Sequence, residues 1–97
     1  MTTVRVLLES TVKADQSTAA INFIRQNLPN VRSFEGCSQV NILFDKDQRT
    51  MLFDEIWTSP EHHQRYIESI SKSGVMTTLV GFLEAPPSVK YLYASSL

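Results

Sequence analysis

The chain has 97 residues, of which 42% are hydrophobic, 20% charged and 9% aromatic. This length fits a single domain, residues 1–97, with the composition of an ordinary globular protein rather than a disordered or fibrous one. The net charge of −1 lacks the basic field on which nucleic-acid binding depends, and no apolar run approaches the roughly 20 residues that span a membrane. We therefore expect neither nucleic acid nor a membrane as a partner.

The cysteine content and the first residues bear on the compartment. The only cysteine, Cys37, has no second cysteine with which to form an internal disulfide or a cysteine-built metal centre. The apolar residues at the start are followed at once by Glu9 and Lys13, which is unlike a signal peptide. The sequence therefore predicts a cytoplasmic protein.

The N-terminal third predicts a strand followed by a helix. Apolar residues at every second position predict a strand over residues 4–12. A helix should follow, with Asp15 or Ser17 as its cap. Proline disfavours helix at the preceding residue and lacks an N–H, so the regular helix should end or kink just before Pro29. The spacing of apolar residues within 31–34 predicts one further turn.

Two more strands come next. Alternation predicts strands over residues 37–44 and 49–57, joined by a hairpin at residues 45–48, which are polar and compatible with a turn.

A second helix has clear start and stop signals. Ser59 is a typical cap, Pro60 fits the first helical position, and Gly74 is a typical left-handed end. Four residues at helical spacing form one face of this helix: His63, Tyr66, Ile67 and Ile70.

A shorter third helix and a last strand complete the pattern. The same spacing recurs in four further residues: Met76, Leu79, Val80 and Leu83. Two prolines at 86–87 close this helix, and residues 88–94 alternate as a strand. The order β-α-β-β-α-α-β predicts an α+β, ferredoxin-like fold with a four-stranded antiparallel sheet and one extra helix before the last strand.

Several strands carry apolar side chains on both parities, although an antiparallel sheet with one face in water alternates cleanly. The residues on the second parity are Leu7, Leu52, Ile56 and Leu92. We therefore expect a homodimer in which a second copy covers this face.

Three segments resemble the antibiotic biosynthesis monooxygenase (ABM) family. Residues 53–61, FDEIWTSPE, are similar to its E-x-W-x-S-x-E segment. Residues 34–37 are similar to its x-P-G-C junction, with Glu35 where proline is usual. Residues 83–91, LEAPPSVKY, are similar to its L-x-x-P-P-x-V-x-Y entry to the last strand. The resemblance implies a dimeric α+β barrel built from ferredoxin-like protomers.

The resemblance implies several possible activities. The family includes cofactor-independent oxygenases of phenols and quinols, haem-degrading enzymes, isomerases and members with no assigned reaction. Many members carry two histidines where this chain has Tyr66 and Ser71, which disfavours a histidine-based isomerase. The haem-degrading branch uses a histidine after the second helix, where this chain has Met76, which disfavours haem degradation.

His63 is the best candidate for a base, because it shares the inward helix face with Tyr66 and an unperturbed histidine titrates near neutral pH. The alternative is a core-edge histidine bonded to a backbone carbonyl. Tyr66 either donates its hydroxyl to a substrate oxygen or only packs its ring. The remaining candidates for substrate binding are largely apolar: Trp57, Phe53, Ile67, Met76 and Leu79. For Trp57, pocket wall and plain core packing are equally good interpretations.

Two further groups receive structural interpretations. His62 points about 100° away from His63 around the helix and no third ligand is suitably spaced, so we expect no metal site. Glu55 lies on an apolar parity and needs a partner, for which Arg5, Arg49 or a residue across the dimer are candidates. A structural ion pair is the favoured interpretation.

Two functions remain open. No G-x-G-x-x-G motif is present and the chain has only three glycines, so no flavin, nicotinamide or other cofactor is expected. The first hypothesis is a cofactor-independent monooxygenase acting on a small phenolic, quinol or enol-type substrate, which itself supplies the electrons. The alternative is a non-catalytic homodimer of the same fold that binds a small hydrophobic ligand.

Overall fold

The computed structural model describes residues 3–97. The elements run in the predicted order: β1 Val4–Thr11, α1 Ser17–Arg32, β2 Cys37–Phe44, β3 Thr50–Trp57, α2 Pro60–Ser73, α3 Val75–Gly81 and β4 Ser88–Leu92. The four strands form one antiparallel sheet in the order β2-β3-β1-β4. The ferredoxin-like α+β fold is thus confirmed, and β4 ends two residues earlier than predicted.

The three helices pack on one face of the sheet, called here the covered face. Its side chains stand in rows across the strands, and one row joins Val40, Glu55, Val6 and Tyr91 from β2, β3, β1 and β4. The core consists of apolar residues of this face and of α1 with 8% or less of their surface exposed: Val4, Val6, Leu8, Val12, Ala20, Ile24, Val31, Val40, Met51 and Trp57, together with Leu83.

The opposite face, called here the open face, carries none of the helices formed by residues 3–97. Its rows include Leu7, Leu52 and Ile56, which are half-buried within the single chain, and Leu43 and Leu92, which are 48% and 45% exposed. Apolar side chains therefore do stand on both faces of the sheet, as the strand pattern predicted.

Helix α1 departs from the prediction at both ends. It does not end before the proline but runs through Pro29 to Arg32, so that the further turn predicted after the proline begins within the same helix. Proline cannot donate a hydrogen bond to the carbonyl of Arg25, but both residues are exposed, so water can satisfy that carbonyl. The helix continues because Val31, 4% exposed, packs into the core. The predicted caps are also wrong, because the cap residue is Gln16 and it makes no side-chain capping bond.

Helix α2 begins and ends as predicted, and its first turn is fixed from two sides. The Ser59 hydroxyl accepts a hydrogen bond from the His62 backbone N–H at 3.2 Å, and Gly74 ends the helix at φ 88°. Gly36 adopts φ +91°, and a Cβ there would overlap the His62 ring. The Gly36 carbonyl also accepts from Thr58 N–H at 2.8 Å. The close approach at Gly36 therefore leaves no room for a side chain at this position beside the first turn of α2.

Candidate active site

A cavity lies between the covered face of the sheet and helices α2 and α3, and it encloses about 50 Å³. Most of its wall is apolar, and the residues contributing to it are Leu8, Ser10, Val31, Met51, Phe53, Glu55, His63, Tyr66, Ile67, Ile70, Met76, Leu79, Leu83 and Pro87. The polar side chains of the wall are therefore one hydroxyl, one carboxyl, one imidazole and one phenol. A largely apolar cavity with a few convergent polar groups is the usual form of a small-molecule site.

Glu55 is the carboxyl group of this wall. It is 3% exposed, and one carboxyl oxygen, Oε1, accepts a hydrogen bond from the Trp57 indole Nε1 at 2.7 Å. Burial raises the pKa of Glu55 to about 7, and the indole bond, which favours the carboxylate, only partly opposes this rise. Near neutral pH the group therefore exists in both protonation states, which is a requirement for a general base or acid.

The partners predicted for Glu55 from the sequence are wrong for both arginines. Arg5 forms a two-bonded ion pair with Asp54, at 2.8 and 2.7 Å, on the open face. Arg49 instead pairs with Glu84 and donates to the Val12 carbonyl. Side-chain alternation explains the first error, because Arg5 and Glu55 belong to opposite faces of the sheet. Glu55 is left with an indole and an imidazole rather than a cation.

His63 is the imidazole beside this carboxyl group. It is 2% exposed, and its Nδ1 lies 2.8 Å from the Tyr91 hydroxyl of β4. Its Nε2 lies 3.8 Å from Oε1 of Glu55, which is longer than a hydrogen bond. Burial lowers the pKa of His63 to about 4, so the ring is neutral at pH 7. The predicted titration of His63 near neutrality is therefore wrong, because the helix packs the imidazole away from water.

Aromatic rings of the core pack against His63 and Tyr66. The Trp57 ring is fully buried and lies 5.4 Å from the His63 ring and 5.6 Å from the Tyr66 ring, centroid to centroid. Phe34 packs edge-on against Tyr66 at 5.3 Å. Burial raises the pKa of Tyr66 to about 12, so its hydroxyl keeps its proton and can only donate or accept a hydrogen bond. The rings therefore hold the side chains of His63 and Tyr66 in fixed positions.

Helix α3 forms the remaining side of the cavity. It has seven residues, none of which is buried, and its side chains Met76 and Leu79 contribute to the wall. It begins directly after Gly74, at whose position a Cβ would meet nothing within 4 Å. A helix this short depends on packing for its stability, so α3 is the weakest part of the enclosure.

The structure brings most of the predicted site residues together. Six of them contribute to the cavity wall: His63, Tyr66, Phe53, Ile67, Met76 and Leu79. The seventh, Trp57, does not line the cavity, and its indole N–H is used by Glu55. Sequence reasoning missed Glu55 and Tyr91 as members of the site. The signal for Glu55 was a carboxyl group sharing the parity of Met51 and Trp57.

Two findings bear on other kinds of site. Among residues 3–97, no three His, Cys, Asp or Glu side chains are grouped closely enough to hold a metal ion. Within the same residues, no helix combines the length and the apolar character needed to cross a bilayer.

The fold and the cavity define a ferredoxin-like α+β protein with a covered, largely apolar chamber beneath two helices. The family model for antibiotic biosynthesis monooxygenase matches residues 3–70. The chain therefore belongs to the antibiotic biosynthesis monooxygenase family. The matched region ends within α2, so α3 and β4 lie beyond it.

Solved structures show the same fold. A conserved protein from Methanosarcina mazei Go1 superposes with a TM-score of 0.86 at 16% identity, over 98% of this chain and 95% of that one. A protein from Bordetella bronchiseptica, provisionally named an antibiotic biosynthesis monooxygenase, superposes with a TM-score of 0.85 at 13% identity, over the whole of both chains. NE2512 from Nitrosomonas europaea, of unknown function, gives 0.78 at 19% identity, over 100% of this chain and 95% of that one. A search of curated proteins finds no match.

Proposed function

We propose that the protein is a cofactor-independent monooxygenase that oxidises a small phenolic, quinol or enol-type substrate in the cavity under α2 and α3. The observation that carries this proposal is the pair Glu55 and His63, buried together in a largely apolar wall. Burying an unpaired carboxyl group is costly and is typical of a functional site. The family supports the same class of reaction.

Without a cofactor, the substrate supplies every electron. A substrate carbon bearing two hydrogens beside a phenol or enol loses both and gains one oxygen atom, and the other oxygen atom leaves as water. The four electrons that reduce O₂ all come from the substrate. The protein's contribution is to remove the hydroxyl proton, which makes the ring electron-rich, and to keep bulk water away from the intermediate.

The residues of the wall divide between these tasks. His63 and Tyr66 are the proposed catalytic contacts, and both are held in place by the aromatic rings beneath them. Phe53, Ile67, Met76 and Leu79 are the proposed substrate-binding surface, with Trp57 in support rather than in contact.

The size of the cavity requires a moving wall. A cavity of about 150 Å³ accommodates benzene, and the closed chamber encloses about 50 Å³. A phenol-sized substrate therefore needs part of the enclosure to move outward. We assign this motion to α3, which has no buried residue and contributes Met76 and Leu79 to the wall.

The proposed enzyme is a homodimer joined through the open faces of its sheets. Leucine and isoleucine side chains there are half-buried or exposed in the single chain, and the Arg5–Asp54 ion pair lies among them. Covering these side chains removes apolar surface from water, at about 25 cal/mol per Å². The cavity lies on the other face, so each protomer keeps its own chamber.

Oxygen uptake tests the proposed function directly. The purified protein, without added metal, flavin or haem, should consume O₂ with at least one member of a panel of quinols and phenols. In His63→Ala the rate should fall by about 10²–10³-fold, as when one positioned proton-transfer or oxyanion-binding group is removed. In His62→Ala, whose side chain lies outside the cavity wall, it should be nearly unchanged. Binding of the panel without O₂ uptake would instead make the protein a ligand-binding homodimer.

A further inference from the structure

Two polar atoms of the cavity wall face each other beyond hydrogen-bond distance, and the carboxyl oxygen, which already accepts from the Trp57 indole, can accept a second bond. Oε1 of Glu55 and Nε2 of His63 are 3.8 Å apart, and both side chains are at least 97% buried. Within the described residues, one buried side-chain nitrogen or oxygen has no hydrogen-bond partner, and that atom is Nε2 of His63. Buried polar atoms are nearly always bonded in proteins, so an unbonded one beside a cavity indicates a missing contact.

A single oxygen atom placed to one side of the line joining the two atoms can reach both. An atom about 2.8 Å from each can bond to both, because two such distances span the 3.8 Å gap at an angle near 85°. Glu55 as a carboxylate can only accept a hydrogen bond, so the oxygen must carry a proton. His63 then completes the match if its Nε2 carries the ring proton.

The partner of Nδ1 is compatible with that tautomer. Nδ1 of His63 lies 2.8 Å from the Tyr91 hydroxyl, which can act as donor or acceptor. The geometry therefore allows the Tyr91 O–H to donate to Nδ1. An imidazole that accepts at Nδ1 carries its proton at Nε2. The wall therefore presents one acceptor and one donor to the same point.

We propose that Glu55 is the base of this site, accepting the proton of a single ligand hydroxyl, while Nε2–H of His63 binds the resulting oxyanion. The ligand class is an aromatic or enolic alcohol held by one oxygen, with the rest of the molecule in apolar contact. Only the oxidation that follows rests on the proposed function. This assignment gives His63 the role of donor rather than base.

The proton transfer balances without any other reactant. The ligand O–H bond breaks, an O–H bond forms on the Glu55 carboxyl group, and the negative charge moves from the carboxylate to the ligand oxygen. No electron changes partner in this step. The cavity holds one negative charge before and after, so the transfer requires no new buried charge.

The other groups around Glu55 strengthen it as a base. Asp54, next in the chain, disfavours the carboxylate by repulsion, while Tyr66 and Cys37 nearby keep their protons because their own pKa values are raised by burial. Among the described residues, Glu55 has no Lys or Arg partner in an ion pair. The resulting pKa of about 7 lies much closer to that of a phenol, about 10, than the ordinary glutamate value does.

The experiment uses 3-nitrophenol, whose anion absorbs visible light and which is mostly protonated in solution at pH 7.5, with nitrobenzene as the matched ligand lacking a hydroxyl. The wild-type protein should bind 3-nitrophenol at least about 10-fold more tightly than nitrobenzene, and the anion absorption should grow on binding. Glu55→Gln should reduce the preference to below about threefold and abolish the anion signal. Glu68→Gln, the same substitution on the exposed surface of α2, should behave as wild type.

A Glu55→Gln variant that retains both the preference and the anion signal overturns the proposal. If that variant does not fold, the wild-type pH series decides, because the preference should rise about 10-fold from pH 5.5 to pH 7.5 as Glu55 ionises, and a flat series overturns the proposal. The two proposals also fail separately. An anion signal without oxygen uptake removes only the oxygenase, and oxygen uptake unchanged by Glu55→Gln removes only the assignment of the base.

Discussion

Asp54 and Glu55 are neighbours on β3, but they lie on opposite faces of the sheet and meet different surroundings. Asp54 faces the open side, where hydrogen bonds from Arg5 hold its pKa below the ordinary value. Glu55 faces the covered side, where burial raises its pKa to about 7. On the open face the carboxylate is paired with an arginine and stays ionised at neutral pH. On the covered face the carboxyl group has no such partner and can exchange a proton near neutrality.

The largest effect is expected from a charge placed on the open face. Leu52→Asp puts a carboxylate in the middle of the proposed dimer interface, where burial without a partner costs several kcal/mol. The dimer should dissociate at least about 100-fold more readily, giving an 11.0 kDa species by light scattering at micromolar concentration.

A matched control separates the interface from charge alone. Leu97→Asp adds the same charge at a fully exposed position near the chain end and should leave the mass unchanged. A wild-type protein that is already monomeric at micromolar concentration would contradict the homodimer.

The pH dependence of stability should have opposite signs for the two carboxyl groups. Folded Glu55 keeps its proton to a higher pH than the unfolded chain does, so its contribution to stability is lost as pH rises from about 4.5 to about 7. Relative to wild type, Glu55→Gln should therefore gain about 3 kcal/mol of unfolding free energy across this range. Asp54, with its lowered pKa, contributes above about pH 4 and loses that contribution in acid.

Urea unfolding at a fixed protein concentration, between pH 3 and pH 8, measures both terms. The unfolding free energy of Asp54→Asn should fall relative to that of wild type as pH rises from 3 to 5, and the difference should stay constant above pH 5. The lowered pKa of His63 makes wild-type stability fall as pH drops from about 6.5 to about 4, which opposes the Glu55 term in the same range. Parallel curves for Glu55→Gln and wild type would show that Glu55 is an ordinary exposed carboxyl group.

The smallest effect concerns the two helices α2 and α3 on the covered face, which differ in how deeply their side chains are buried. Backbone amides of α3, residues 75–81, should exchange hydrogen faster than those of α2, residues 60–73, since α3 has no buried side chain and α2 is anchored by His63. Mass spectrometry of deuterium uptake measures this difference. Equal protection of the two helices would argue against α3 as the moving wall. Binding of 3-nitrophenol should reduce the difference in exchange rate between α3 and α2.

The sequence was sufficient for the order of elements, because alternation and helical spacing are local properties. It also gave the start of α2, since Ser59 and Pro60 carry their own signal. It was insufficient at Pro29, where packing of Val31 into the core outweighed a local preference.

The site was only partly predictable for a different reason. Glu55 shares its parity with Trp57, but Leu52 and Ile56 make the other parity almost as apolar, so alternation alone could not tell which face the helices cover. The contact between His63 and Tyr91 joins positions 28 residues apart. It depends on the register of β4 against β1, which no spacing within the sequence reveals.

Trp57 is the only tryptophan of the chain, it is fully buried, and its indole N–H bonds directly to Glu55 at 2.7 Å. The intrinsic fluorescence of the protein in the tryptophan band therefore originates at a single place, one hydrogen bond away from the carboxyl group of the cavity. Loss or gain of a negative charge at that distance acts on the excited indole, so the colour and intensity of emission follow the proton on Glu55. The fluorescence of Trp57 therefore reports the protonation state of Glu55 in the cavity, and neither a dye nor a label is required.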